Sequence, residues 1–415
     1  MTRPTVHIIG AGLSGLAAAV ALSDGAWTLV VHEGARQAGG RCRSYHDALL
    51  DMMIDNGNHL LLSGNSAALA YCRRLGSEDH LVGPDDASFP FVDLATGASW
   101  TVRPNAGRLP WWIFRPDRRV PGTKARDYLA LARLITARKT DTIGSRMACS
   151  GPLYRALWQP LLLAALNTDP PESSAALAAA IIKETLAKGG DACRPLIAAD
   201  GLGAAFVDPA LRYLTAKGAR LRFDHPLRRL VLSDGAVEAL EFGDETIALG
   251  PDDRVILAVP ASTAAALVPG LSAPTAFRSI VNAHFKIAPP ASLPPILGVI
   301  GGTVEWIFAF PDRVSITISG ADRLLDVPRE TLVATLWEDI QRATGMTDPL
   351  PPWQIIREKR ATFAATPEED AKRPPTRTAL ANLVLAGDWT ATGLPATIEG
   401  SIRSGNKAAA ALAAG

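Results

Sequence analysis

The sequence lacks several features that would place it among membrane-spanning, secreted or metal-binding proteins. No apolar run reaches the roughly eighteen residues that a spanning helix needs. The four cysteines are scattered, with no C-x-x-C pair or metal-ligand spacing, so we expect no metal site and a reducing, cytoplasmic environment. A net charge of +1 over 415 residues disfavours nucleic acid as a partner. Without internal repeats, a chain of this length predicts a large core and two domains.

A glycine-rich turn near the N-terminus is the most informative feature that is present. An apolar run leads into Gly10-Ala11-Gly12-Leu13-Ser14-Gly15 and then into an Ala/Leu-rich stretch, which we interpret as strand, turn and helix. Gly10 permits the tight turn, Gly12 lets backbone approach a pyrophosphate, and Gly15 lets the helix pack close to the strand. The N–H groups of Leu13 and Ser14 lie at the helix start, where the positive dipole end attracts phosphate.

An acidic residue and a second glycine turn follow this helix. The apolar run Trp27 to Val31 ends in His32-Glu33, and Glu33 lies eighteen residues after Gly15, where a carboxylate can accept hydrogen bonds from ribose hydroxyls. The pattern predicts a Rossmann-like α/β dinucleotide site. Gly39-Gly40-Arg41 then supplies a flexible turn and a guanidinium suited to the phosphates of a longer dinucleotide. The alternative is an ordinary loop carrying a solvated charge.

These motifs, in this order, resemble the flavin amine oxidase and carotenoid desaturase superfamily, which implies FAD rather than NAD. Near the C-terminus, an apolar run ends in Gly387-Asp388 before a loop and a helix, as in the flavin site of that superfamily. The resemblance implies that Asp388 contacts the ribityl chain or pyrophosphate. It also implies that the N–H groups of Thr397 and Ile398 face the N1/O2 edge of the flavin, where a helix N-terminus stabilises an anion.

The same resemblance organises the rest of the chain. Strand-like runs between Ala219 and Val259 correspond to a meander over the adenine, with backbone contact at Leu227. Residues 83–200 are mostly helical in pattern, with 128–139 and 175–187 the clearest helices, whereas later alternating runs predict strands. We therefore expect an α/β fold of the glutathione-reductase type with an inserted, mixed α+β substrate domain. The FAD-binding domain would comprise residues 1–82, 200–265 and 382–415, and the substrate domain residues 83–199 and 266–381.

Four stretches narrow the resemblance to hydroxysqualene dehydroxylases, the squalene-associated FAD enzymes of bacterial hopanoid pathways. They are Asp55–Leu62, Leu157–Thr168, Ile318–Asp322 and Gly387–Gly400. The resemblance implies reductive removal of an allylic hydroxyl from a C30 isoprenoid to give squalene, with hydride from reduced flavin. It also places the loop of Gly57, Asn58 and His59 beside the isoalloxazine ring, although Asn58 stands where a Gln is expected.

Such a reaction needs one proton donor near the flavin and an otherwise dry, apolar pocket. His59 is the first candidate donor, because an imidazolium can give a proton near pH 7; alternatively it hydrogen-bonds backbone or the flavin edge. Glu399 is the second candidate, and its alternative role is to stabilise the last helix from its first turn. The residues expected to line the pocket are Trp158, Asn167, Trp306 and Trp389. For the three tryptophans, packing in the protein core is the alternative role.

Two other functions are compatible with the same fold. One is a carotenoid or isoprenoid desaturase; an amine oxidase is disfavoured because no Tyr or Trp pair stands near the C-terminal motif. The other is a non-catalytic isoprenoid-binding protein of the GDP-dissociation-inhibitor type, although Glu33, Arg41 and Asp388 are all in place. No NAD(P)H site is visible in the sequence, so we expect a separate protein as the reductase.

A tryptophan-rich stretch predicts contact with a membrane surface. Trp111 to Phe114 are four adjacent large apolar residues between Arg108 and the cluster Arg115, Arg118 and Arg119. Tryptophan favours the lipid–water interface and arginine is attracted to anionic headgroups. We therefore expect a peripheral protein on the inner face of the cell membrane, where a C30 isoprenoid dissolves. The alternative is that these apolar residues form a buried strand, with the arginines at the surface.

Overall fold

The computed structural model describes residues 3–413, so the two outermost residues at each end of the predicted FAD-binding domain lie outside it. Its strands are β1 (Thr5–Ile9), β2 (Thr28–His32), β3 (Ser44–Asp47), β4 (Met52–Asp55), β5 (Leu61–Leu62), β6 (Leu81–Val82), β7 (Phe89–Asp93), β8 (Ser99–Val102), β9 (Pro195–Ala198), β10 (Arg220–Arg222), β11 (Arg229–Ser233), β12 (Ala236–Phe242), β13 (Glu245–Ala248), β14 (Arg254–Leu257), β15 (Phe277–Phe285), β16 (Ile296–Ile300), β17 (Trp306–Phe310), β18 (Arg313–Ile318), β19 (Trp353–Phe363) and β20 (Leu383–Leu385). Its α-helices are α1 (Leu13–Leu22), α2 (Ser66–Leu75), α3 (Ala132–Ile135), α4 (Ile143–Arg146), α5 (Gln159–Leu166), α6 (Ala175–Glu184), α7 (Asp208–Ala216), α8 (Ala261–Leu267), α9 (Arg329–Thr344), α10 (Pro367–Ala371) and α11 (Ile398–Ala413).

A parallel five-stranded sheet joins the beginning, middle and end of the chain. Its order is β10-β2-β1-β14-β20, and every neighbouring pair is parallel. Val6 and Ile8 of β1 are fully buried, as expected for a parallel strand covered on both faces. Helix α11 packs against α1 so closely that a Cβ added to Gly405 would overlap the Ser14 carbonyl oxygen. This geometry places the start of α11 beside the N-terminal glycine turn.

The predicted meander is present as β11-β12-β13, with antiparallel pairing throughout. The strand predicted at Ala219 to Phe223 does not belong to it. Instead, β10 is an edge strand of the parallel sheet, reached from α7. Its three residues are exposed or half-buried, as expected for a strand at the edge of a sheet.

A mixed seven-stranded sheet forms the second unit, in the order β19-β15-β18-β17-β16-β7-β8. Helix α9 packs on one face of this sheet. Along β17, Ile307 belongs to the core under α9, whereas Trp306 and Phe308 on the opposite face line a cavity. The alternation of a strand therefore divides its side chains between a structural core and a binding space.

The stretch predicted as mostly helical is only partly so. Helix 175–187 is confirmed as α6, and α5 continues from a π-helical turn, Tyr154–Trp158. However, β7 and β8 belong to the large sheet, and the expected helix 128–139 is a 3-10 turn followed by the short α3. Leu129 and Ile135 are exposed there, so no continuous apolar face is buried to stabilise a long helix.

Candidate active site

A cavity of about 860 Å³ lies between the parallel sheet and the inner face of the seven-stranded sheet. Most residues singled out from the sequence line it, although they come from distant parts of the chain. They are Gly10, Gly12, Leu13, Ser14, Glu33, Gly40, Arg41, Gly57, Asn58, His59, Asn167, Leu227, Trp306, Gly387, Asp388, Trp389, Thr397, Ile398 and Glu399.

Two of the expected residues lie outside the cavity wall. A Cβ on Gly15 would overlap the Gly10 carbonyl oxygen, so this glycine allows the close helix packing expected of it without lining the cavity. Trp158 was expected in the pocket but lies in the core, where its ring packs edge-on against Tyr128 at 5.8 Å between centroids. Trp158 therefore has the alternative role of packing in the protein core.

Two glycine turns are joined at the dinucleotide end of the cavity. Gly10 has a φ of 106°, and a Cβ added to it would overlap the Ala258 carbonyl oxygen. A Cβ on Gly12 would meet nothing within 4 Å, which leaves open space where a phosphate can approach the backbone. The Gly39 N–H donates to the Ala11 carbonyl at 2.8 Å, so the second turn is held against the first.

Charged side chains stand on both sides of these turns. Arg41 Nη2 donates to Asp388 Oδ2 at 2.7 Å, and Asp388 raises the pKa of Arg41. The carboxylate of Glu33 accepts the Ala11 N–H at 2.7 Å and the Ala35 N–H at 2.8 Å. Glu33 is thus held at the end of β2, with lone pairs left to accept ribose hydroxyls.

The loop carrying His59 is held by polar side chains of the large sheet. Asn282 Oδ1 accepts the Asn58 N–H at 3.3 Å and the Thr317 hydroxyl at 2.7 Å. Asn58 Nδ2 donates to the Ile316 carbonyl at 3.2 Å, which leaves its buried Oδ1 without a donor in residues 3–413. Asn282 and Thr317 were not predicted from the sequence. Polar residues alternating with Val and Ile in β15 and β18 were the signal that could have found them.

His59 borders the cavity, and its ring has no hydrogen-bond partner within the described chain. Burial, assisted by Arg41, lowers the pKa of His59 to about 4. The imidazole of the protein alone is therefore neutral at pH 7, in contrast to the imidazolium expected from the sequence. A neutral imidazole still offers one N–H donor.

Glu399 also reaches the cavity, but its carboxylate is occupied. It accepts the Ala67 N–H at 3.1 Å and the Ala68 N–H at 2.8 Å, both at the start of α2, and the Arg403 Nε–H at 2.7 Å. Since both oxygens already accept hydrogen bonds, this arrangement favours the structural role over proton donation. The carboxylate stabilises the N-terminus of α2 in addition to that of its own helix.

Apolar side chains dominate the half of the cavity formed by the large sheet and α5, α6 and α8. The wall includes Phe277, Trp306, Phe308, Phe363 and Trp389. Trp389 Nε1 donates to the Val259 carbonyl at 2.9 Å, which fixes its ring. The amide of Asn167, by contrast, ties α5 to the sheet by accepting the Gly320 N–H at 2.7 Å and donating to Thr362 Oγ1 at 3.0 Å.

The arrangement fits a flavin dinucleotide. The glycine turns, Arg41 and Glu33 suit the phosphates and ribose, and Asn58 Oδ1 is a buried acceptor with no donor in the described residues, suited to a ring N–H. Helix α11 begins at Ile398 on the cavity wall, so its first N–H groups lack intrahelical acceptors and attract negative charge.

Comparison with known proteins agrees with this geometry. The family described as "Flavin containing amine oxidoreductase" matches residues 13–413. Hydroxysqualene dehydroxylase of Rhodopseudomonas palustris is 58% identical over 413 residues, 99% of each chain, and that of Sinorhizobium fredii is 57% identical over 404 residues, 97% of each chain. Cyclohexylamine oxidase from Brevibacterium oxydans shares the fold, with a TM-score of 0.71, 18% identity and 99% coverage of both chains.

These relatives confirm the predicted fold class, cofactor and family. The matches extend over nearly the whole chain, so they include both halves of the cavity. The cofactor is FAD, as the resemblance to the flavin amine oxidase superfamily implied. The chain belongs to the flavin containing amine oxidoreductases and, within them, to the hydroxysqualene dehydroxylase family, and it is an FAD-dependent oxidoreductase.

Proposed function

We propose that this protein converts hydroxysqualene to squalene by replacing the allylic hydroxyl with hydrogen. One observation carries the proposal: a single cavity is lined both by the glycine turns and charged residues suited to a dinucleotide and by His59 and a group of aromatic side chains. That space suits a long hydrocarbon with one polar group near the cofactor. Relatives named for this reaction are 47–58% identical over nearly the full chain.

The reaction breaks the allylic C–O bond and forms a C–H bond at the same carbon. The oxygen leaves as water with one added proton, and reduced FAD, when bound, supplies the hydride. The apolar wall, which includes Phe277, Phe308 and Phe363, excludes bulk water that would otherwise capture the allylic cation. We expect a separate reductase protein to return the cofactor to its reduced state.

We assign His59 to the departing oxygen. Its ring has no hydrogen-bond partner within residues 3–413, and the Asn58 backbone is anchored to Asn282, so the side chain is both available and positioned. Because its pKa is about 4, the neutral N–H polarises the C–O bond by hydrogen bonding at pH 7. The smaller imidazolium fraction, which grows as the pH falls, can transfer the proton fully.

The test is product identification after anaerobic incubation of the dithionite-reduced holoprotein with hydroxysqualene. Squalene is the expected product, and the oxidised protein should leave squalene unchanged. If the oxidised protein instead introduces double bonds into a carotenoid precursor, the desaturase alternative is correct. If the protein purifies without flavin and binds isoprenoids without converting them, the GDP-dissociation-inhibitor alternative is correct.

A peripheral location at the inner face of the cell membrane completes the proposal, because a C30 isoprenoid and its product dissolve in the bilayer. Within residues 3–413, no helix is both long and apolar enough to cross a membrane. The predicted contact stretch Trp111–Phe114 is a 3-10 turn and not a strand, with Trp112 and Ile113 buried and with Trp111 and Phe114 exposed.

A further inference from the structure

The charge of the chain is strongly uneven. Residues 103–139, called the basic segment below, contain ten Lys or Arg and two Asp, which gives a net charge of +8. The whole chain has a net charge of only +1, so the remaining residues together carry −7. Among the residues described, only Arg115 and Arg126 of the ten basic side chains have an acidic partner within 4.0 Å. The positive charge of the basic segment is therefore largely uncompensated.

Large apolar side chains are exposed on this same segment. Leu109, Phe114 and Leu129 are 81%, 68% and 62% exposed, and Trp111 and Ile135 are 48% and 37% exposed. These five are nearly half of the eleven exposed large apolar residues found in the described part of the chain. Their concentration beside uncompensated positive charge is typical of a surface that meets anionic lipid.

The exposed residues are presented on an ordered support. Trp112 points inward, where its ring packs edge-on against Tyr128 at 5.1 Å between centroids. Asn105 Oδ1 accepts the Trp112 N–H at 3.2 Å, and its Nδ2 donates to the Leu109 carbonyl at 3.0 Å. The Arg118 guanidinium lies 5.0 Å from the centre of the Trp111 ring. Thus the turn directs Trp111 and Phe114 outward while Trp112 fixes it to the core.

The basic segment also adjoins helices that line the cavity. The Gly190 N–H donates to the Asn105 carbonyl at 2.7 Å, shortly after Thr185, a cavity residue at the end of α6. Tyr128 packs on Trp158, which leads into α5, whose Ala164 and Ala165 line the cavity. A membrane held against the basic segment would therefore lie next to α5 and α6.

We propose that the basic segment docks on anionic phospholipid, with Leu109, Trp111 and Phe114 inserted at the lipid–water interface and the basic side chains on the headgroups. Docking itself needs no catalysis. Only the delivery of a C30 isoprenoid to the cavity rests on the proposed function. The acidic remainder of the protein is repelled by the same anionic surface, so the charge distribution also sets the orientation.

The experiment is co-sedimentation of the holoprotein with vesicles of mixed phosphatidylcholine and phosphatidylglycerol, compared with phosphatidylcholine alone. The parent should bind the anionic vesicles and be released by high salt, since surface charges are screened. Trp111→Ser combined with Phe114→Ser should lower the bound-to-free ratio about tenfold or more. Leu232→Ser with Leu350→Ser, a matched pair exposed elsewhere by 38% and 42%, should leave it unchanged.

A charge pair separates electrostatics from insertion. Arg108→Gln with Lys139→Gln should reduce binding and its salt dependence, whereas Arg228→Gln with Lys407→Gln, also exposed, should do neither. All variants should keep FAD and the parental Tm. Equal sedimentation of the parent and the Trp111/Phe114 variant, or equal binding to neutral and anionic vesicles, would overturn the proposal.

A detergent assay distinguishes this proposal from the proposed function. With hydroxysqualene dispersed in detergent, the Trp111/Phe114 variant should form squalene at the parental rate. Absence of squalene from every protein in that assay would refute the reaction and leave the docking result intact. Loss of squalene from the variant alone, with FAD retained, would assign these residues to the cavity and contradict a docking role.

Discussion

Arg41 and Asp388 are 347 positions apart in sequence, yet Arg41 Nη2 lies 2.7 Å from Asp388 Oδ2. The carboxylate side chain is 7% exposed and the guanidinium side chain 45%, so the pair stands at the boundary between core and cavity. It connects the second glycine turn to the end of β20. The pair therefore joins an N-terminal and a C-terminal segment at the wall of the dinucleotide site.

This pairing predicts coupling between the two residues in the apoprotein. Arg41→Gln and Asp388→Asn should each lower the free energy of unfolding in urea, and the double variant should lose less than their sum. A coupling of about 1 kcal/mol is expected, because one partner is still partly solvated. Strict additivity of the two changes would show that the ion pair contributes nothing to stability.

Glu33 should determine how tightly FAD is retained. Glu33→Ala removes the acceptor at the ribose and leaves the Ala11 N–H unpaired, which should raise the FAD dissociation constant about tenfold to a hundredfold. Flavin fluorescence titration of the apoprotein measures this change. Glu78→Ala, an exposed carboxylate paired with Arg73 on α2, is the control and should not alter affinity. Full flavin occupancy with an unchanged dissociation constant would remove Glu33 from the site.

His59 should control the rate and its pH dependence. His59→Gln should slow single-turnover squalene formation about a hundredfold without loss of FAD. Since the pKa of His59 is about 4, the parental rate should rise as the pH falls from 8 towards 5, as the imidazolium fraction grows. The Gln variant should show no such rise. The control is His46→Gln, a half-exposed histidine near Asp51, which should behave like the parent. An unchanged rate in His59→Gln would exclude His59 as the donor.

Buried histidines should make the protein sensitive to acid. Burial lowers the pKa of His284 to about 4 from 6.5, so below pH 6.5 the unfolded chain binds more protons than the folded one. The free energy of unfolding should therefore decrease as the pH falls from 6.5 towards 4. For His284 alone, the loss by pH 5 is about 2 kcal/mol.

The check is denaturant unfolding of His284→Gln at pH 7.5 and 5. This variant has no titrating ring at position 284. Its free energy of unfolding should therefore change between the two pH values by about 2 kcal/mol less than that of the parent. This difference is expected even if the variant is less stable than the parent at both pH values. His32, whose pKa burial lowers to about 3, adds to the acid sensitivity in the same direction. An identical pH dependence in parent and variant would mean that His284 is not held neutral by the fold.

The cofactor half of the site could be predicted from the sequence because its requirements are local. Gly10 is required by its positive φ and by the nearby Ala258 carbonyl, Gly12 leaves space for a phosphate, and Glu33 follows at a spacing set by one helix and one strand. The substrate half depends on pairing between distant strands. Asn282 and Thr317 anchor the His59 loop from more than 200 residues away, and no local pattern connects them to it.

The wrong predictions have a similar origin. From the sequence, Trp158 could lie in the core or in the pocket. Its position in the core becomes evident only from its packing against Tyr128. The expected helix at 128–139 had apolar residues at suitable spacing, but Leu129 and Ile135 remain exposed. Helical periodicity predicts a stable helix only where the apolar face packs against other parts of the protein. That packing depends on the tertiary structure and cannot be read from the local sequence.

The most direct test of the account follows the hydride. Holoprotein reduced with dithionite in D2O, then mixed anaerobically with hydroxysqualene, should return to the oxidised flavin spectrum while forming one squalene per FAD. Because the hydrogen on the flavin N5 exchanges with solvent, mass spectrometry should find one deuterium at the carbon that carried the hydroxyl. Squalene without deuterium, or flavin that remains reduced while squalene forms, would contradict hydride transfer from FAD.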